Sequence, residues 1–130
     1  MADGFDLTGP WQGVYSYPGE RLAVPFSARL AERDAWLTGS TEETATHGAA
    51  RGTRIAATLQ GRRDARVVTF LKLYDSAHDV YDSVQYQGTL SADGSEIAGR
   101  WSIPGGWAGS FLMIRGSANS VAEKQAAAKV

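Results

Sequence analysis

The stretch LYDSAHDVYDS, from Leu73 to Ser83, gathers Asp75, His78, Asp79 and Asp82 within a few residues of Tyr74 and Tyr81. These are hard or borderline metal ligands. Their spacing nevertheless matches no known loop, because an EF-hand needs alternating acids, a glycine and a distant glutamate. No metal is therefore expected. If the flanking segments pair as a hairpin, residues 75–79 form its connection, and Asp75 and Ser76 bond local backbone amides. Asp82 shares a strand face with Val84 and Tyr86. An ionised carboxylate on that face must be paired or wet. One reading has Asp82, with Tyr74 or Tyr81, orienting a polar ligand group at a rim. The other has it as a structural carboxylate bonded to Tyr or Arg.

Other reactive arrangements are sparse. The chain has no cysteine, which excludes disulfides and thiolate metal sites. No Gly-x-Ser-x-Gly elbow is present. Glu42 and Glu43 are adjacent carboxylates, but neighbouring strand residues point to opposite faces, so they do not form a pair. His47 lies in the polar loop TATHGAARG and reads as a surface residue. No catalytic residue is assigned. What remains is an aromatic load of four Trp and five Tyr, the residue types that line small-molecule pockets and also fill small cores.

Composition narrows the classes further. Thirteen Lys/Arg against fourteen Asp/Glu in 130 residues leave a net charge of −1. Nucleic acid, which calls for a basic excess, is not an expected partner. No window approaches the roughly eighteen apolar residues of a membrane span, and the opening MADGFDLTGPW has no signal-like apolar run. A cytoplasmic location is the expectation, with no membrane partner. One domain suits this length.

The elements that must position the aromatics read as strands. Eight segments bounded by turn residues fall at 10–17, 22–30, 36–43, 53–61, 65–74, 80–90, 96–103 and 107–115. The second alternates cleanly: Leu22, Val24, Phe26, Ala28 and Leu30 on one face, with Pro25 on the other marking an edge or bulge. ERDA and RRD read as turns, and Asp93-Gly94 as a tight one. In this register the inner face carries Trp11, Tyr15, Tyr17, Phe26, Ile55, Val67, Tyr86, Trp101, Trp107, Phe111 and Met113. Small residues on it (Gly13, Ala28, Gly39, Ala57, Gly88, Gly99, Gly109) leave room opposite the large rings. Ser120 and Glu123 have capping-box spacing ahead of KQAAAKV, a helix of marginal length. The expected organisation is an N-terminal arm (1–9), one β-domain (10–116) and a C-terminal tail (117–130).

One apolar and one polar face fit a barrel or a sandwich. Closure removes both free edges, and eight strands enclose about enough space for side chains or one small ligand. Gly9-Pro10-Trp11 in the first strand, with Arg115 closing the last in FLMIR, resembles the signature of the calycin superfamily, which groups lipocalins, avidins and fatty-acid-binding proteins. The resemblance implies an all-β, eight-stranded antiparallel up-and-down barrel, an arginine packed over the signature tryptophan, a ligand mouth at one end, and a tendency to form homo-oligomers. The polar set that avidins use for biotin has no counterpart here. PWQGVYSYP also looks like the opening of nitrobindin-type haem barrels, but no late-strand histidine exists to ligate haem, so no cofactor is expected.

The leading expectation is a non-enzymatic barrel for a small hydrophobic or aromatic ligand. Trp11, Tyr15, Tyr17, Phe26, Tyr86, Trp101 and Phe111 line it, and Asp82 with Tyr74 or Tyr81 orients a polar group. Trp107, after two glycines, caps the mouth or anchors another copy of the chain. Two alternatives stand beside this: an isomerase- or cyclase-type barrel enzyme for a hydrophobic substrate, and an interaction module with a filled core.

Overall fold

The computed structural model describes residues 6–17, 23–44, 52–74 and 83–115. Eight strands form: β1 (Gly9–Ser16), β2 (Ala23–Arg33), β3 (Trp36–Thr44), β4 (Arg54–Asp64), β5 (Val67–Tyr74), β6 (Val84–Leu90), β7 (Glu96–Ser102) and β8 (Ala108–Ile114). Each pairs antiparallel with its neighbour in sequence, and β1 pairs with β8 to close an up-and-down barrel. Among the described residues no helix is long and apolar enough to cross a membrane. Asp75, His78, Asp79, Tyr81, Asp82, His47 and the 117–130 tail lie outside the described residues.

Alternation explains the wall. In β2, Val24, Phe26, Ala28 and Leu30 are buried while Pro25, Ser27 and Arg29 are exposed; β6 repeats this with Val84, Tyr86, Gly88 and Leu90 inward. Pro25 sits opposite Val14 of β1, before the first β2–β3 partners, Phe26 and Glu43. Its missing N–H therefore interrupts no ladder described with β3. A closed barrel has no edge strand, so Pro25 marks the start of a ladder and not a sheet edge.

Three local expectations are corrected. β2 runs to Arg33 and turns at Asp34-Ala35, and β4 runs through Arg62, Arg63 and Asp64 to turn at Ala65-Arg66. The polar ends of these strands keep pairing because ladder hydrogen bonds belong to the backbone, whatever the side chain. In β5, Val67 faces solvent at 45% exposure, and Val68, Phe70, Lys72 and Tyr74 face the lumen. VVTFLKLY is apolar in both phases over most of its length, so the turn at 65–66 sets its phase.

The two ends differ. Connections after β2, β4 and β6 gather at one end, and those after β1, β3, β5 and β7 at the other. The first end is closed by tight turns and by the segment preceding β1. There Leu7 and Trp11 are fully buried, and the Trp11 indole N–H donates to the Leu7 carbonyl at 2.8 Å. Arg115 lies over the Trp11 ring, 4.6 Å from its centroid, and donates to the carbonyls of Thr8 and Asp6. A buried ion pair, Arg63 Nε to Glu32 Oε2 at 2.8 Å, ties β4 to β2, and Glu32 Oε1 accepts from the Leu7 amide at 3.0 Å.

Candidate functional site

At the opposite end the lumen holds charge. Thr41 and Glu43 follow Leu37 and Gly39 along the inner phase of β3, and Lys72 follows Phe70 along that of β5. Glu43 and Lys72 side chains are 3% and 1% exposed, and Lys72 Nζ donates to Glu43 Oε1 at 2.6 Å. These strands are not neighbours, so the pair spans the lumen in front of β4. Two phenols complete the cluster. The Tyr15 hydroxyl, from β1, donates to Glu43 Oε2, and that of Tyr74 donates to Oε1 at 3.3 Å. Glu43 is thus the acceptor for three side chains, drawn from β1 and β5.

Aromatic rings enclose the ammonium. Lys72 Nζ lies 5.3 Å from the ring centres of Tyr15 and Phe26, 4.9 Å from Tyr74 and 5.8 Å from Tyr86. Ring faces are negative, so they partly replace the lost hydration of the cation. Burial still pushes the Lys72 proton affinity down, against the opposing pull of Glu43. Burial, then the Glu43 charge, raises the pKa of Tyr15, Tyr74 and Tyr86 well above the usual phenol range. All three phenols are therefore neutral donors at ordinary pH. Thr41 is 2% exposed, and its Oγ1 has no hydrogen-bond partner among the described residues.

The aromatic expectations divide by place. Tyr15, Tyr17, Phe26, Tyr74, Tyr86, Trp101 and Phe111 gather at this charged end. Tyr17 stands edge-on to Trp101 at 5.2 Å, Tyr15 edge-on to Trp101 at 6.1 Å, and Tyr86 edge-on to Phe111 at 4.9 Å. Phe70, which the sequence reading left out, stacks on Tyr86 at 4.9 Å. Trp11 belongs to the closed end and lines no part of this site. Trp107 is 59% exposed and stands edge-on to Tyr17 at 6.0 Å. Asp82 and Tyr81, the expected polar rim, lie outside the described residues, and the polar groups brought together among the described ones are Glu43, Lys72, Tyr15, Tyr74 and Thr41.

The signal for Glu43 was present in the sequence. If Glu42 and Glu43 point to opposite faces, one of them points inward. Glu42 is the outward one, bonded to Arg54 at 2.6 Å on the surface. Lys72 gave less warning, because the leucines on either side of it suit either face.

The room expected opposite small residues is filled by rings. Phe26 covers Gly13, Phe111 covers Gly88 and Trp101 covers Gly109, each so closely that an added Cβ would collide. A groove of about 480 Å³ lies instead on the outer wall, beside Thr69, Leu71, Gln85, Gln87, Arg100 and Ser102. Among the described residues, no group of three or more His, Asp or Glu is placed to hold a metal.

No protein-family model matches the chain, and no curated protein does. Among solved structures it is similar to one described as a redesigned beta barrel, with a TM-score of 0.68 over 85% of this chain and 92% of that one, at 16% identity. That likeness shows the fold.

Proposed function

We propose that this barrel binds a small molecule with an apolar or aromatic body at its charged end, without catalysing a reaction. The observation that carries the reading is the Glu43–Lys72 pair, buried and bonded to two phenols inside the lumen. A buried ion pair is a poor stabiliser: well-packed apolar residues of the same volume often do better by about 1–4 kcal/mol. Strongly perturbed titratable groups mark functional sites. Lys72 and Glu43 supply a donor and an acceptor for a polar ligand group, and the Thr41 hydroxyl, without a partner among the described residues, supplies another. The half-buried Tyr17 and Tyr74 stand one step nearer the mouth along their strands. A ligand enters by displacing these rings. The calycin resemblance supports the same reading through Gly9, Trp11 and the Arg115 guanidinium stacked on that indole.

Native mass spectrometry of the protein as purified, followed by tryptophan-fluorescence titration with small aromatic compounds, tests this. Trp101 contacts Tyr15 and Tyr17, so occupancy changes its emission. Binding that Lys72→Met or Glu43→Gln weakens by roughly tenfold or more supports the reading. Binding indifferent to both variants overturns it. A second reading, an interaction module, draws on the ring-filled glycine spaces and on the exposed Trp107 and Trp36. It expects a concentration-dependent oligomer in analytical ultracentrifugation that Trp107→Ala or Trp36→Ala dissociates.

A further inference from the structure

We infer that Lys72 takes a carbonyl compound covalently, holding an aldehyde or ketone with an aromatic or conjugated body as a protonated imine whose counter-ion is Glu43. This rests on the binding reading above and names the ligand class for that site. The first observation is the choice of cation. From Met1 to Glu123 every Lys or Arg position but one is arginine, and the exception is Lys72. A second buried pair among the described residues, at the closed end, uses Arg63 with Glu32. Arginine therefore serves where a buried cation only has to hold strands together. Arginine cannot shed its proton, whereas lysine can, and a neutral lysine amine is a nucleophile.

The second observation is the proton path. Glu43 Oε1 lies 2.6 Å from Nζ, within transfer distance. Tyr15 and Tyr74 hold that carboxylate from two other directions. Burial, which lowers the proton affinity of Lys72, favours the transfer. The chemistry balances without a further reagent. The ammonium passes a proton to Glu43. The Nζ lone pair attacks the carbonyl carbon, a C–N bond forms, and the carbonyl π pair moves to oxygen, which takes a proton from nitrogen. Glu43 then returns its proton to that hydroxyl, water leaves with the C–O pair, and the remaining nitrogen pair closes the C=N bond. The sum is ammonium plus carbonyl giving iminium plus water. The charge on nitrogen is unchanged, so the Glu43 ion pair survives the reaction.

The third observation is the wall. The rings of Tyr15, Phe26, Tyr74 and Tyr86 surround Nζ at 4.9–5.8 Å. The iminium keeps the same cation–π partners, and a conjugated substituent meets ring faces. Exclusion of water protects the imine from hydrolysis. The buried Thr41 hydroxyl, without a partner among the described residues, offers a hydrogen bond to a polar atom on the ligand.

The test uses the full chain with cinnamaldehyde as probe. Sodium cyanoborohydride reduces any iminium to a stable amine, and peptide mapping locates the added mass. Lys124, Lys129 and the N-terminal amine are internal references. The expected result is labelling of Lys72 roughly tenfold faster than of Lys124 or Lys129. Glu43→Gln is expected to slow labelling at Lys72 by roughly 100-fold, leaving the references unchanged. Lys72→Arg keeps the charge and abolishes the adduct in the barrel. Cinnamyl alcohol, which has no carbonyl, separates the two ideas. If only the reference amines are labelled while the alcohol still quenches tryptophan emission, the covalent inference is overturned and the binding reading stands. If neither labelling at Lys72 nor quenching occurs, both fall.

Discussion

The phenols around Glu43 make stability depend on alkali. Tyr15, Tyr74 and Tyr86 have folded pKa values raised above their ordinary 10.0. Above pH 10 the unfolded chain loses these protons while the folded one keeps them, so the folded state binds more protons and stability falls as pH rises. Three groups give a slope of about 4 kcal/mol per pH unit well above pH 10. Lys72 acts with the opposite sign: its lowered value means its contribution is lost as pH falls below 10.5. Urea titrations at pH 10.5 to 11.5 (on the order of one unit above the phenol value) are expected to show the slope, and Tyr86→Phe should reduce it by about a third. An unchanged slope would mean that Tyr86 is not held neutral by its surroundings. The ion pair has its own signature. Lys72→Met leaves Glu43 buried without its cation and is expected to cost about 3 kcal/mol. Adding Glu43→Gln removes the stranded charge but keeps an acceptor for Tyr15 and Tyr74. The double variant should therefore be more stable than Lys72→Met, by roughly 2 kcal/mol in chemical denaturation.

Hairpins fix which side chains reach the lumen, and two of them carry strain. Asp34 and Ala35 both have positive φ, 53° and 71°, in the two-residue turn between Arg33 and Trp36. Ala65, at φ 54°, opens the equally short turn between Asp64 and Val67. Primed two-residue turns need these angles because they match strand twist, and glycine or asparagine normally supplies them. An alanine Cβ is disfavoured there. Ala35→Gly and Ala65→Gly are each expected to stabilise the barrel by roughly 0.5–1 kcal/mol, read from the shift in denaturation midpoint. These turns also explain what the sequence revealed. β2 and β6 were legible because one phase is apolar and the other polar. β5 was not, since Val67, Val68, Leu71 and Leu73 suit either face, and its phase comes from the Ala65-Arg66 turn, which carries no glycine signal. The candidate site was therefore half legible. Its rings could be named from β1, β2, β6, β7 and β8, with Tyr74 at the end of β5, while Lys72 stayed hidden by the phase of β5 and Glu43 was read only as facing opposite to Glu42, with neither assigned to the lumen.

Closure of the whole barrel depends on one non-local seam. Every other ladder joins strands adjacent in sequence, whereas β1 and β8 meet only after the chain has gone round. That seam pairs Gln12 through Ser16 with Ile114 through Ser110, a short ladder beside the one from Trp36 to Thr44 between β3 and β4. Both of its ends are braced. At the charged end Gly109 lies so close to the Ser16 carbonyl that no Cβ fits between them, and the Trp101 indole N–H donates to that same carbonyl at 3.1 Å. At the closed end Arg115, just past β8, stacks on Trp11 of β1 and donates to the Thr8 and Asp6 carbonyls ahead of it. Loss of that brace should open the seam before it loosens anything else. Arg115→Ala is expected to cost about 1–2 kcal/mol, the sum of a cation–π contact and partly exposed hydrogen bonds. Hydrogen exchange discriminates this from a general weakening. Faster exchange confined to the amides of Gln12–Ser16 and Ser110–Ile114, with β3 and β4 unchanged, marks the seam as the barrel's first opening unit. Uniform acceleration around all eight strands would instead mean that the barrel opens only as a whole, and that Arg115 stabilises the closed end without governing where the wall parts.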